Sequence, residues 1–167
     1  MPQGRGAEAP NAWEGRMGDS DLINLYSGRI LALAADIPHV GRLPAPQGSA
    51  RRRSPLCGST VTADVVLRDG RVAEFGQDVK ACALGQAAAA VLGGAIIGRS
   101  RSEVEAARDA LSAMLRTGGP VPAAPFDGYE VLTPARDYRN RHASILLALE
   151  AAAEAAANAS TQSAAQA

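Results

Sequence analysis

Cys57 and Cys82 are the only cysteines of the chain. A thiolate, not a thiol, is the group that binds soft metals and attacks electrophiles. Cys57 precedes Gly58-Ser59, a flexible pair that lets its sulfur turn outward. Cys82 falls where a helix begins, beside unpaired backbone amides and Lys80, and both favour the charged form. Two such sulfurs suit a soft metal ion or one edge of an iron–sulfur cluster. Their spacing is not that of a two-cysteine zinc knuckle, and two unrelated small buried hydrophobes are the plain alternative. What distinguishes these readings is the segment between the two cysteines.

That segment reads as one hairpin. Thr60 to Arg68 alternates, with Val61, Ala63, Val65 and Leu67 on one side, the mark of a half-buried strand. Asp69-Gly70 is a strong turn signal, and Arg71 to Val79 alternates again through Ala73, Phe75 and Val79. A two-residue loop with Arg68 facing Arg71 sets Cys57 opposite Cys82, with Cα atoms about 4.5–5.5 Å apart if pairing reaches that far. A three-residue loop, Arg68-Asp69-Gly70, sets Val65 by Ala73, Ala63 by Phe75 and Ser59 by Val79. The apolar faces agree better in this register, and it is the preferred one. Cys57 then faces Ala81, and both sulfurs still reach the open end of the hairpin.

Cys57-Gly58-Ser59 before the hairpin and Lys80-Ala-Cys82-Ala-Leu-Gly-Gln-Ala after it resemble the U-type iron–sulfur cluster scaffold family, that of IscU, SufU and the NifU N-terminal domain. Leu25-Tyr26 resembles the family's entry helix, and Pro38-His-Val-Gly41 its early turn. The resemblance runs from about Asp21 to Ala157 and is densest from Pro55 to Ala90. It implies an α+β fold: a small antiparallel three-stranded sheet with helices packed on one face. It implies a transient iron–sulfur cluster or iron as cargo, with zinc as the other candidate. A cysteine desulfurase and other assembly factors are the implied partners, and the protein is expected not to be an enzyme.

By helix phase alone, His142 reads as a core histidine with one satisfied hydrogen bond. The family's His-Cys-Ser run lines up with His142-Ala143-Ser144, which implies His142 near the two thiols. The same alignment shows two departures. Ala143 stands where the family has its third cysteine, and Ser59 where it has an aspartate. Cys57, Cys82 and His142 then make three ligands, whereas a [2Fe–2S] cluster or a structural zinc wants four. His39 would be a fourth only if the Pro38–Gly41 turn folded over the site. The family's chaperone-contact motif has no counterpart, since Pro134-Ala-Arg-Asp-Tyr-Arg stands before the last helix.

The other elements must carry these residues. Residues 1–18 read as a disordered tail containing Trp13. Asp19-Ser20 caps an expected helix with Leu22, Tyr26, Ile30 and Leu33 on one face, ended by Pro38. A first strand is expected over Ala50–Leu56, with Pro55 at an edge or an interruption. The helix after Cys82 buries Leu84, Ala88, Val91, Leu92, Ala95 and Ile96. Gly93-Gly94 inside it marks either a close approach or a shorter helix. Ser100-Arg-Ser-Glu103 is a capping box, followed by the stripe Val104, Ala107, Leu111 and Met114, which Gly118-Gly119 stops. A stiff proline-rich connection leads to Tyr129–Leu132. A last helix is expected from Pro134, with Tyr138, His142, Ile145, Leu149 and Ala152 on one face. The domain is thus expected over 19–157, with 158–167 as a disordered tail.

At 167 residues the chain is one domain by length. Seventeen basic and seventeen acidic residues cancel, so charge points to neither nucleic acid nor membrane. Arg51-Arg52-Arg53 reads as a solvated run. No apolar segment suits secretion or a bilayer crossing, and two cysteines fit a reducing cytoplasm. Neither a Gly-x-Ser-x-Gly elbow nor a phosphate-binding Gly-Lys-Ser/Thr loop is present. Three readings stand. The first is a metal or cluster scaffold using Cys57 and Cys82, completed by His142, a second subunit or an added thiol. The second is an interaction module that keeps the fold without the metal. The third is a thiol redox protein with a Cys57–Cys82 disulfide.

Overall fold

The computed structural model describes residues 25–166, with side chains through 162. The expected tail 1–18 and the helix start at Asp19, Ser20, Asp21 and Leu22 lie outside the described residues. The first helix described, α1, spans Gly28–Ala35. It does not continue unbroken from Asp19 as expected, because Tyr26 and Ser27 are not helical. Ser27 caps it anew, its Oγ accepting from the Ile30 amide at 3.4 Å.

Three antiparallel strands follow in the order β1-β2-β3: Gly48–Arg53, Thr60–Arg68 and Arg71–Lys80. The first is shorter than the expected Ala50–Leu56. Pro55 falls instead in the turn to β2, where no ladder donor is needed. The preferred hairpin register is corrected too. Asp69 (φ 54°) and Gly70 (φ 75°) both take left-handed backbone, so the loop has two residues and Arg68 faces Arg71. One step later the pairing slips: Leu67 faces Val72, but Val66 faces Glu74, leaving Ala73 as a bulge. The cause is legible in the packing. Val72 and Phe75 are both buried yet three residues apart, and strict alternation cannot point both inward. Beyond the bulge Val65 pairs with Phe75, Val61 with Val79 and Thr60 with Lys80.

Helices cover the inner face. Ala83–Ala95 forms α2, Arg101–Thr117 forms α3, and Arg139–Gln166 forms α4. The capping box of α3 is present, with Ser100 and Glu103 bonded reciprocally, and Gly118 closes that helix at φ 73°. Of the two glycines in α2, only Gly93 marks a close approach. A Cβ there would lie 3.0 Å from Pro38 O and from Gln77 Nε2, whereas Gly94 faces open space.

Two expectations about the last helix are corrected. Asp127–Asp137 winds as a 3-10 helix containing Pro134, burying Tyr129 and Leu132, so α4 begins at Arg139. Nor does α4 fray after Ala157. It continues to Gln166, with Ala159 buried and Asn158 Nδ2 donating to Ser49 O at 2.9 Å. Small residues make this dock close. The α4 backbone at Ala155 and Ala159 occupies the space a Cβ on Gly48 would need, at the start of β1. No helix among the described residues is long and apolar enough to cross a membrane.

Candidate metal site at the open end of the sheet

Cys57 and Cys82 lie at the same end of the sheet, away from the Asp69-Gly70 turn. Cys57 sits in the β1–β2 turn, which is closed by two backbone bonds: Ser54 N–H to Ser59 O at 2.8 Å and Gly58 N–H to Ser54 O at 2.9 Å. Gly58 at φ 73° permits that closure. The turn buries the Ser54 and Ser59 side chains and leaves Cys57 exposed. Cys82 holds the cap position of α2, with extended backbone and no side-chain cap bond. Its sulfur is half-buried and stays free of capping.

A chain of polar contacts joins the two sulfurs. Cys57 Sγ is 3.0 Å from Ser59 Oγ and 3.5 Å from Ser54 Oγ. Ser59 Oγ is 3.3 Å from Ser144 Oγ, and Ser144 Oγ is 3.4 Å from Cys82 Sγ. Ser144 comes from α4, and Gly85 of α2 makes room for it. A Cβ at Gly85 would stand 2.9 Å from the Ser144 hydroxyl and 2.8 Å from Ala81 Cβ. Three of the buried polar residues of the described chain, Ser54, Ser59 and Ser144, gather at these sulfurs. Buried hydroxyls are retained where they have partners, and here the partners are each other and the thiols.

The hydroxyls also act on Cys57. The Ser54 hydroxyl, then the Ser59 hydroxyl, stabilise the thiolate; burial opposes them, and the Ser59 amide and Ser144 add to the lowering. Together they bring the thiol down to about 7. Near neutral pH the exposed sulfur is therefore substantially the metal-binding, nucleophilic form.

His142 is not brought to this place. It is buried, and its Nε2 lies 3.0 Å from both Ala135 O and Arg136 O, where an Nε2–H donates to the 3-10 helix. Helix geometry explains the separation. Residues two apart on an α-helix point about 200° apart, so if Ser144 faces the sulfurs, His142 faces away from them. Among the described residues no three His, Cys, Asp or Glu side chains are grouped to hold an ion. His39 is exposed, at φ 60°, with its ring edge-on to Phe75 at 6.2 Å between centroids. Its loop runs along β3, with Gln77 N–H donating to His39 O and Gly41 N–H to Gln77 O. Lys80 is exposed and pairs across the ladder with Thr60; Ala143 offers no donor atom. Both cysteines are free thiols.

Ser144 is the residue that sequence reasoning missed. Its signal was a hydroxyl on an otherwise apolar helix face, matched by Gly85 on the helix it must meet. The fold thus brings two free cysteines to one end of the sheet, with hydroxyls between them.

No protein-family model matches the chain, and no curated protein does. Solved structures do. The N-terminal part of a nitrogen-fixing NifU-like protein from Brucella abortus is 42% identical over 85% of this chain and 99% of its own, with a TM-score of 0.82. A hypothetical protein of known structure is 23% identical over 81% of this chain and 98% of its own, with a TM-score of 0.72. A protein assigned as an iron–sulfur cluster assembly scaffold for the SUF system of Fervidobacterium islandicum AW-1 is 18% identical over 77% and 94%, with a TM-score of 0.69. The last two share the fold.

Proposed function

Because the chain belongs to the U-type iron–sulfur cluster scaffold family, that of the NifU-like N-terminal domains, we propose that it carries iron, an iron–sulfur cluster or zinc as cargo on Cys57 and Cys82. The observation that carries this reading is the contact chain Cys57–Ser59–Ser144–Cys82, which ties both free thiols to one exposed end of the sheet. A sulfur shifted to about 7 beside a second thiol favours soft-metal capture at neutral pH. The cargo's other coordination positions are filled by a second copy of the chain, a partner or an added thiol. His142 is left out of this set, since its ring is engaged with Ala135 and Arg136. A cysteine desulfurase is the proposed sulfur donor, and a reducing cytoplasm the setting that keeps both thiols free. Anaerobic reconstitution with iron and sulfide, followed by absorbance and metal analysis, tests it. Cys57→Ser and Cys82→Ser should each abolish cargo binding.

A second reading is favoured by one observation: no group of three ligands exists among the described residues. In that reading the protein is an interaction module of the same assembly system and holds no metal. Unchanged metal content and unchanged desulfurase binding in Cys57→Ser would establish it over the first.

A further inference from the structure

The face of the sheet turned away from the helices carries several cations that form no ion pair among the described residues. Strand β1 alternates, so Arg52 faces α4 and pairs there with Glu154 at 3.0 Å and Glu150 at 3.8 Å. Ser49, Arg51 and Arg53 face the other way. On that outer face the ladder sets three rows: Ser49–Asp64–Gly76, Arg51–Thr62–Asp78 and Arg53–Thr60–Lys80. Asp64 is already taken by Arg42, whose Nε lies 2.6 Å from Oδ2. No ion pair among the described residues engages Arg51, Arg53 or Lys80. Arg42, Arg51, Thr60, Thr62, Asp78 and Lys80 line an open groove of ≈ 490 Å³.

We propose that this outer sheet face docks an acidic, extended segment of a partner protein, held by Arg51, Arg53 and Lys80 across the hydroxyls of Thr60 and Thr62. The whole chain balances seventeen basic against seventeen acidic residues, so the local excess is not a general bias. Complementary charge is what steers and orients such encounters. Arg51 and Arg53 stand two residues apart on one strand, about 6.8 Å. That is also the spacing between same-side side chains of an extended peptide. Asp78 in the middle row leaves the cations as separate points rather than a continuous basic track, which suits carboxylates on flexible side chains better than the phosphate line of nucleic acid. Arg53, at the end of this face, approaches the turn that carries Cys57: its Nη2 lies 4.0 Å from where a Gly58 Cβ would be. The proposal stands whether or not Cys57 and Cys82 hold metal.

The test uses the full chain and a fluorescein-labelled octaglutamate, read by anisotropy at low salt and by amide NMR shifts. Binding is expected, with shifts confined to residues 49–53, 60–62 and 78–80. Combined Arg51→Gln, Arg53→Gln and Lys80→Gln should weaken it at least tenfold; if that variant loses its fold, Arg51→Gln and Lys80→Gln singly should each weaken it at least threefold. Arg116→Gln on α3, and Cys57→Ser with Cys82→Ser, should stay within twofold of the unaltered chain. Absent binding, shifts elsewhere, insensitivity to the groove variants, or octathymidylate bound as tightly as octaglutamate would each overturn the proposal. So would self-association abolished by the same variants, which would seat a second copy on this face.

Discussion

Ser144 Oγ on the last helix lies 3.3 Å from Ser59 Oγ in the β1–β2 turn, 85 positions earlier in the chain. Through this pair the helix ties down a turn that also has its own backbone and side-chain contacts. Replacing Ser144 by Ala removes one hydroxyl contact to Ser59 and one to Cys82. A loss of about 1 kcal/mol is expected, read from urea unfolding. Ser144→Cys places a third sulfur at the same point. It should raise the amount of iron or zinc retained after reconstitution and desalting above that of the unaltered chain.

The Cys57 thiol titrates to about 7 in the fold, against an ordinary value of 9.0. Its alkylation rate by iodoacetamide, measured by mass spectrometry in a Cys82→Ser background, should therefore reach half its maximum near pH 7. Ser54→Ala should move that midpoint upward, since the Ser54 hydroxyl is the largest influence holding it down. The stability link has a definite sign. The fold favours the thiolate, so the contribution is complete above about pH 9 and is lost as pH falls through about 7.

His142 anchors α4 to the 3-10 helix through two carbonyls and is buried. His142→Ala should cost about 2–4 kcal/mol, from the lost packing and the unpaired carbonyls. Metal content after reconstitution, per folded molecule, should not change. A fall in metal content with an unchanged unfolding midpoint would put the imidazole back among the ligands.

The two cysteines, the hairpin between them and the helix beginning after Cys82 were legible because each follows from local rules: alternation, Asp-Gly turn chemistry and helix capping. The bulge at Ala73 was not, because it answers to which of Val72 and Phe75 must be buried, a fact of tertiary packing. Family alignment pointed to His142, whereas in the fold its ring bonds Ala135 O and Arg136 O, and Ser144, two positions on, is the residue in contact with Cys82. The 3-10 helix through Pro134 and the length of α4 were hidden for a related reason. Both depend on what packs beside them: Tyr129 and Leu132 in the first case, the space above Gly48 in the second.

Gly85 marks where α2 and α4 approach at the site. Gly85→Ala would force a methyl to within 2.9 Å of the Ser144 hydroxyl and 2.8 Å of Ala81 Cβ. Either the helices part or the hydroxyl turns away. A destabilisation of about 1–3 kcal/mol is expected, despite alanine's better helix propensity. The alternative outcome, a rise in melting temperature from that propensity, would mean the helices are not in close contact there.

Asp64 has no exposed surface on the central strand, yet its carboxylate accepts bonds from Arg42 Nε and Nη2, the Leu43 amide and Ser49 Oγ, at 2.6–3.1 Å. Burial pushes this carboxyl up, but the bonds from Arg42, Ser49 and the Leu43 amide outweigh it and hold the group below its ordinary value. These contacts clamp the loop after Gly41 onto the sheet. Asp64→Ala strands a buried amide and hydroxyl but leaves Arg42 half-exposed and able to hydrate. The expected cost at pH 7 is therefore about 2–3 kcal/mol, below the roughly 3–5 of a fully buried pair. A depressed carboxyl stabilises the fold above its ordinary pKa, and that contribution is lost as pH falls through the lower folded value. Urea unfolding of the two proteins should thus show a stability gap that narrows steadily below about pH 4. A gap unchanged down to pH 2 would mean that the charge on Asp64 contributes nothing and that its role is packing alone.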